Sequence, residues 1–419
     1  MSHGEHTLTN PETLSYMDRL YRSLFMSALE KLPEGQLTLT ENGHLVAHFG
    51  NKADKLHAEV DILDPKAYKH LMLGGSVASG ETFTDKLWDS PNLTNVIRIF
   101  ARNLPTLDEW ENKFKWLTMP FLKLKHFANR NHQAQAKKNI SAHYDLGNKL
   151  YTKFLDETMM YSAAIYPDAN SSLNEAQTYK LKSICDKLKL KPSDHLMEIG
   201  TGWGGLAVYA AKNYGCRVTT TTISEEQYAW ATQWVAKEGL EDKITLLKQD
   251  YRLLDGKYDK LVSIEMIEAV GKRYLRNFFE KCSSLLKPDG LMLLQAITIN
   301  DKRYDSYSNS VDFIQKHIFP GGFLPSQLII SEHLKKYTDF MVRDLHDIGI
   351  DYAKTLKDWH VAFDGSKEAL LADGYDERFM RMWQYYLNYC EGGFLERVIS
   401  TVQLVICKPG HRDEVIRTV

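Results

Sequence analysis

The sequence predicts an α/β protein: a doubly wound, mainly parallel sheet preceded by a smaller α+β domain. Three observations carry this. From about residue 141, apolar strand-like runs alternate with amphipathic helical stretches, the pattern that buries a parallel sheet beneath helices on both faces. The run Leu196-Met197-Glu198-Ile199 leads straight into a loop, Gly200 to Gly205, with four glycines in six positions. Before residue 111 the rhythm differs, with short alternating runs punctuated by glycine. A chain of 419 residues is long for one domain and comfortable for two.

Taken in order, residues 11–31 space Leu14, Met17, Leu20, Tyr21, Leu24 and Phe25 at helical intervals. The runs GQLTLT and GHLVAHFG then read as small strands, and 66–90 as a Gly74-Gly75 turn with a helix-like end. These make the expected N-terminal domain, residues 1–111. Strand candidates at 196–199, 217–223, 244–248, 260–266 and 291–297 build the sheet of a second domain, 141–419. Two late candidates, 340–349 and 401–408, fit an antiparallel pair at one sheet edge. Residues 300–335 are aromatic-rich and poorly periodic, as a substrate cover would be.

Bulk composition narrows the function classes. Hydrophobic residues at 43% and charged residues at 25% predict an ordinary core. A net charge of −2 gives no general pull toward nucleic acid. The five cysteines are odd in number, scattered and without ligand spacing, so reduced thiols of a cytoplasmic protein are expected, with no zinc or other metal site. No apolar run approaches the roughly 20 residues that span a bilayer, and the N-terminus does not read as a signal peptide. A lipid substrate would have to be reached from outside the membrane. Residues 112–144 lack acids and carry Lys113, Lys115, Lys123, Lys125, Arg130, Lys137 and Lys138 among Phe114, Trp116, Phe121 and Phe127. Such a linker (112–140 in domain terms) suits anionic headgroups; a solvated basic linker is the alternative.

The glycine loop identifies the cofactor class. Gly200, Gly202 and Gly205 satisfy G-x-G-x-x-G, which alone is a weak dinucleotide signal. A dinucleotide site needs an acid at the end of the second strand. Here that strand, 217–223, ends in threonines, with no acid until Glu225. Glu198, inside the first strand, instead resembles the first motif of S-adenosylmethionine-dependent methyltransferases.

Further strings sharpen the resemblance: HYDLGNKLY (143–151), MMYSAAIYPD (159–168), TISEEQ (222–227), QKHIFPGGFLPS (315–326), YYLNYCEGGF (385–394) and LMLGGSVASGETFTDKLWDS (71–90). Together with EIGTGWGG they resemble the cyclopropane fatty acyl phospholipid synthases, a group related to mycolic acid methyltransferases. The resemblance implies a class I methyltransferase sheet of seven strands, and methyl or methylene transfer to the cis double bond of a membrane phospholipid chain. It also implies peripheral contact with the inner face of the membrane, and dimerisation through the N-terminal domain. By the same resemblance, Tyr161 and Ser162 lie near the methionine end of the cofactor, with Glu198, Gly200 and Gly202 beneath it. Thr222 and Gln227 fall on the ribose side, and Asp250 and Tyr251 frame the adenine.

The family's base is a bound bicarbonate, held by a glutamate, a histidine, a tyrosine and backbone amides beside a cysteine. Glu268 and Tyr352 stand at matching positions. Ala163 replaces the cysteine, and Gln295, which cannot titrate near neutral pH, replaces the histidine. Glu265 stands where many relatives have glycine. If Glu265 and Glu268 both face the pocket, repulsion raises one pKa and supplies a second candidate base; a surface ion pair for Glu265 is the alternative. These departures bear on the product, cyclopropane or methyl- or methylene-branched chain. Two rival functions stay open: methylation of a soluble small molecule, and a catalytically silent lipid-binding relative.

Overall fold

A computed structural model describes residues 15–107, 109 and 147–414. The basic stretch 112–144 lies outside them. Two compact units emerge.

The first unit takes in the described residues up to 109 together with 311–313 and 374–396. Strands β1 (Gln36–Glu41), β2 (His44–Gly50), β3 (His57–Ile62) and β4 (Trp88–Asp89) form a sheet ordered β2-β1-β3-β4. The two short glycine-bounded runs are thus the β1–β2 hairpin. Helix Lys66–Thr84 breaks at Gly75, whose φ of 53° and ψ of −141° are non-helical, so the expected turn is a kink inside a helical stretch.

One sequence boundary needs correction. Helix Glu377–Leu395 belongs to this first unit, not to the domain 141–419. Its buried residues Met380, Trp383, Tyr385, Tyr386, Leu387 and Phe394 form an apolar face, and it packs on helices Lys66–Thr84 and Leu93–Arg102. Arg381, itself buried, donates to the carbonyls of Phe83 at 2.8 Å and Trp88 at 3.1 Å. Glu396 accepts from Arg98 at 2.6 Å and Arg102 at 2.8 Å. Sequence proximity says nothing about such a return of the chain.

The second unit holds the described residues 147–310, 314–373 and 397–414. Its strands are β5 (His195–Ile199), β6 (Arg217–Thr222), β7 (Ile244–Lys248), β8 (Tyr258–Ile264), β9 (Leu286–Ile299), β10 (Met341–Asp347) and β11 (Ile399–Cys407). Their order is β10-β11-β9-β8-β5-β6-β7, parallel from β9 to β7 with β11 and β10 antiparallel at one edge. Alternate residues feed opposite faces: Met197, Met292 and Leu294 join one buried cluster, Leu196, Leu291 and Leu293 the other. Strand order reverses about β5, which opens a crevice at the carboxyl ends of β5 and β8. The flanking helices start where side chains cap them. Ser172 and Glu175 form a capping box before Leu173–Lys187, and Ser224 caps Glu225–Lys237.

Candidate active site

The turn presenting the first predicted residues is shaped by Asp156. Its carboxylate accepts the backbone N–H of Thr158 at 2.8 Å and of Met160 at 3.0 Å. The folded turn lies on the start of helix Gly205–Tyr214. A Cβ on Gly205 would sit 2.4 Å from the Thr158 carbonyl oxygen, so this approach requires glycine. Tyr161 emerges into an aromatic group with Tyr151 and Trp359, at centroid distances of 5.2 and 5.3 Å, and with Phe154 and Phe319 further out. The buried Ser162 hydroxyl accepts from Lys180 Nζ at 2.8 Å. Burial draws the Lys180 ammonium down to about 8, against the opposing charges of Glu265 and Asp156.

The glycine loop leaves β5 beside this turn. Glu198 is 2% exposed and paired across the sheet with Thr220. Burial pushes its carboxyl up to about 8, and its Oε2 has no hydrogen-bond partner among the described residues. Gly200 has a φ of 104°, and a Cβ there would meet the Met266 side chain at 3.2 Å. The loop therefore runs against the segment that follows β8. Thr222, ending β6, donates to Gln227 Oε1 at 2.8 Å. Asp250 is gripped by Arg252 through bonds of 2.8 and 2.6 Å, and Tyr251 meets Phe278 edge-on.

These groups fit S-adenosylmethionine. A buried carboxyl with an unpartnered oxygen and a side-chain-free loop suit its amino-acid end. The hydroxyl of Thr222 and the amide of Gln227 suit a ribose, and the Asp250 carboxylate and Tyr251 ring offer an edge and a face to a base.

The second predicted group is drawn together around Glu265, immediately after β8. Glu265 is half-buried, not a surface ion pair. Its Oε1 accepts the Ala163 N–H at 2.9 Å and Gln295 Nε2 at 2.7 Å; its Oε2 accepts the Tyr352 hydroxyl at 2.9 Å. Lys180 lies near enough to favour the charged form. The backbone of Glu265 is left-handed, φ 48°, a conformation costing about 1–3 kcal/mol that persists where the surroundings impose it, often at functional sites.

Glu268 stands one turn on. Its Oε1 accepts the Ile297 N–H at 2.6 Å, while its Oε2 is buried with no partner among the described residues. Burial, reinforced by the Glu265 charge, pushes Glu268 up to about 8. Burial thus raises both carboxyls, and the three hydrogen-bond donors and the cation around Glu265 work against the rise there.

Two contributors escape the sequence reading. Gln295 on β9 pairs with Gln403 on β11. Gln403 Nε2 donates to Gln295 Oε1 at 2.9 Å, and Lys187 Nζ donates to Gln403 Oε1 at 2.7 Å. With its oxygen so engaged, Gln295 must turn its NH₂ toward Glu265. Only the antiparallel register of β9 and β11 makes them neighbours; glutamines 108 positions apart carry no local signal.

The chain has known relatives. A family model described as mycolic acid cyclopropane synthetase matches residues 131–404. The chain belongs to this family. Within the cyclopropane synthetase family, it is 38% identical over 359 residues to a cyclopropane-fatty-acyl-phospholipid synthase of Escherichia coli strain K12, covering 84% of this chain and 88% of that one. It is 35% identical over 343 residues to the tuberculostearic acid methyltransferase UfaA1 of Mycobacterium tuberculosis, covering 80% of each. Among solved structures it resembles the mycolic acid cyclopropane synthase CmaA1 complexed with SAH and CTAB, with a TM-score of 0.60, 30% identity, and 65% and 98% of the two chains covered. This cyclopropane synthetase-family chain is an S-adenosylmethionine-dependent C-methyltransferase with the class I sheet. No helix among the described residues is long and apolar enough to cross a membrane.

Proposed function

We propose that the protein transfers a one-carbon unit from S-adenosylmethionine to the cis double bond of an unsaturated phospholipid acyl chain. The product is a cyclopropane or a methyl- or methylene-branched chain. One observation carries this reading: the cofactor loop runs, at Gly200 and Met266, directly against a fixed carboxylate cradle. A double bond is a weak nucleophile whose attack leaves a carbocation, so the site needs an anion in place and water kept out.

When bound, S-adenosylmethionine supplies an electrophilic methyl group on a sulfonium. Glu198, Gly200 and Gly202 would hold its amino-acid end, Thr222 and Gln227 its ribose, and Asp250 and Tyr251 its adenine. The rings around Tyr161 keep water from the reacting carbons and offer π faces to the cation. Ala163, Gln295 and Tyr352 fix the carboxylate that receives the proton, and Glu268 anchors the β9 backbone at Ile297. A bicarbonate fits poorly here, because the Ala163 N–H, Gln295 and Tyr352 donors are already engaged by Glu265; no step is assigned to it. The enzyme would meet its lipid as a peripheral protein, from the cytoplasmic side, with the basic stretch 112–144 against the headgroups and with two chains paired through the N-terminal unit.

The test uses vesicles of monounsaturated anionic phospholipid and labelled S-adenosylmethionine. Lipid-dependent release of S-adenosylhomocysteine is expected, with cosedimentation that weakens as salt shortens the Debye length. Proton NMR of the extracted chains then separates upfield cyclopropane methylene signals from olefinic methylene ones. Turnover on a soluble metabolite extract but not on vesicles would refute the reading.

A further inference from the structure

We infer that Glu265 is the built-in general base of this enzyme, its Oε2 taking the proton released after carbon transfer, so that no bicarbonate or other external anion is needed. This deepens the function proposed above and rests on it.

The geometry argues for it in three ways. Every side-chain or backbone group bonded to the Glu265 carboxylate can donate: the Ala163 N–H, the Gln295 amide and the Tyr352 hydroxyl. That set suits the ionised form. Two of the three bonds fall on Oε1, so Oε2, bonded among the described residues to Tyr352 alone, retains a lone pair to receive a proton. Third, the chain holds this side chain on a left-handed backbone, where glycine would fit without strain. A glutamate kept under strain, with the donors converging on it from the turn after Asp156, from β9 and from helix Gly349–Gly365, is a placed carboxylate. Nothing about it requires a mobile anion.

The step balances as follows. The π pair of the alkene forms the new carbon–carbon bond while the carbon–sulfur pair departs to sulfur, leaving a cation on the acyl chain. A neighbouring carbon–hydrogen bond then gives its electron pair to the cationic carbon and its proton to Glu265 Oε2. That pair closes a cyclopropane if the hydrogen leaves the transferred carbon, or makes an alkene if it leaves a carbon adjacent to the cation. The resulting carboxylic acid is returned to carboxylate by loss of the proton to solvent before the next turnover.

The experiment compares the intact enzyme with Glu265→Gln and Glu265→Gly, in buffer stripped of carbon dioxide and in buffer with millimolar bicarbonate or formate. The wild type is expected to turn over equally in all three buffers. Glu265→Gln should lose about 100-fold or more in kcat, within the range of a lost general base, while its cofactor affinity by calorimetry stays within a few-fold. Glu265→Gly should lose as much without an anion and recover at least about 10-fold with bicarbonate or formate, since it empties the cradle and leaves its donors in place. Carbon-13 NMR of labelled bicarbonate supplies a readout independent of catalysis: line broadening with Glu265→Gly and none with wild type. A single cooperative thermal transition for Glu265→Gly confirms folding, the backbone relief offsetting part of the cost of the unpaired donors. Wild-type turnover that collapses without carbon dioxide, or a Glu265→Gly enzyme fully active without any added anion, would overturn the inference. Failure of the functional reading itself looks different: no S-adenosylhomocysteine from wild type on lipid in any buffer, with the bicarbonate-binding contrast unaffected.

Discussion

The glycine loop after β5 and the carboxylate cradle after β8 touch at Gly200 and Met266, yet they are made differently. The loop is built from backbone: glycines at 200, 202 and 204 adopt positive φ, and one continuous stretch from Glu198 to Gly205 supplies it. The cradle is built mainly from side chains on separate segments, Glu265, Gln295 and Tyr352, joined by the backbone N–H of Ala163, with Gln403 and Lys187 behind them. A backbone loop serves any member of a cofactor class, because it recognises what all substrates share. A side-chain cradle can change its chemistry by single substitutions while the fold stands. The departures that the sequence resemblance implies, Ala163, Gln295 and Glu265, all fall in the cradle.

If that division is right, damage to the two regions should separate cleanly in kinetics. The largest effect is expected in the loop. Gly200→Val places a branched side chain at φ 104° and 3.2 Å from Met266. It should weaken S-adenosylmethionine binding by about 100-fold or more and destabilise the protein by about 1–3 kcal/mol, measured by calorimetry and thermal melting. Cofactor affinity that survives this change would break the comparison.

In the cradle, Tyr352→Phe removes one charge-assisted hydrogen bond to Glu265. A loss of about 1.5–3 kcal/mol, roughly 10- to 150-fold in kcat, is expected with the cofactor dissociation constant unchanged. Gln403→Ala should give a smaller loss by freeing Gln295 to turn its amide. The double change Gln295→Ala/Gln403→Ala should be little worse in kcat than Gln295→Ala alone, because the two act through one contact. Additive losses would show that Gln403 acts elsewhere.

A separate effect concerns stability against pH in the cofactor-free protein. Folding raises Glu198 from 4.5 to about 8, so above the lower value the folded state keeps a proton that the unfolded state has released. Its contribution is therefore greatest below pH 4.5 and is lost progressively as pH rises to about 8. Glu198→Gln should flatten the decline of unfolding free energy over that window, by up to about 1.4 kcal/mol per pH unit. An unchanged slope in denaturant titrations would mean that Glu198 is ionised in the folded protein.

Much of this was written locally. The alternation of strands and helices after residue 141, the late antiparallel pair and the acid before the glycine loop are readable because each depends on residues within a few positions of one another. The fate of helix Glu377–Leu395 was not readable, since its apolar face is equally suited to either unit and only packing against Lys66–Thr84 and Leu93–Arg102 selects one. The cradle falls between. Sequence marked Ala163, Glu265, Glu268, Gln295 and Tyr352, and named two candidate bases without choosing. The inferred choice of Glu265 rests on three dimensions, because a carboxylate's role is set by which donors reach it and which oxygen remains open. Those donors arrive from segments up to 102 residues away on one side of Glu265 and 87 on the other. Chain order fixes the residue types available, but only the register of the sheet and the packing of the turn after Asp156 bring them within bonding distance.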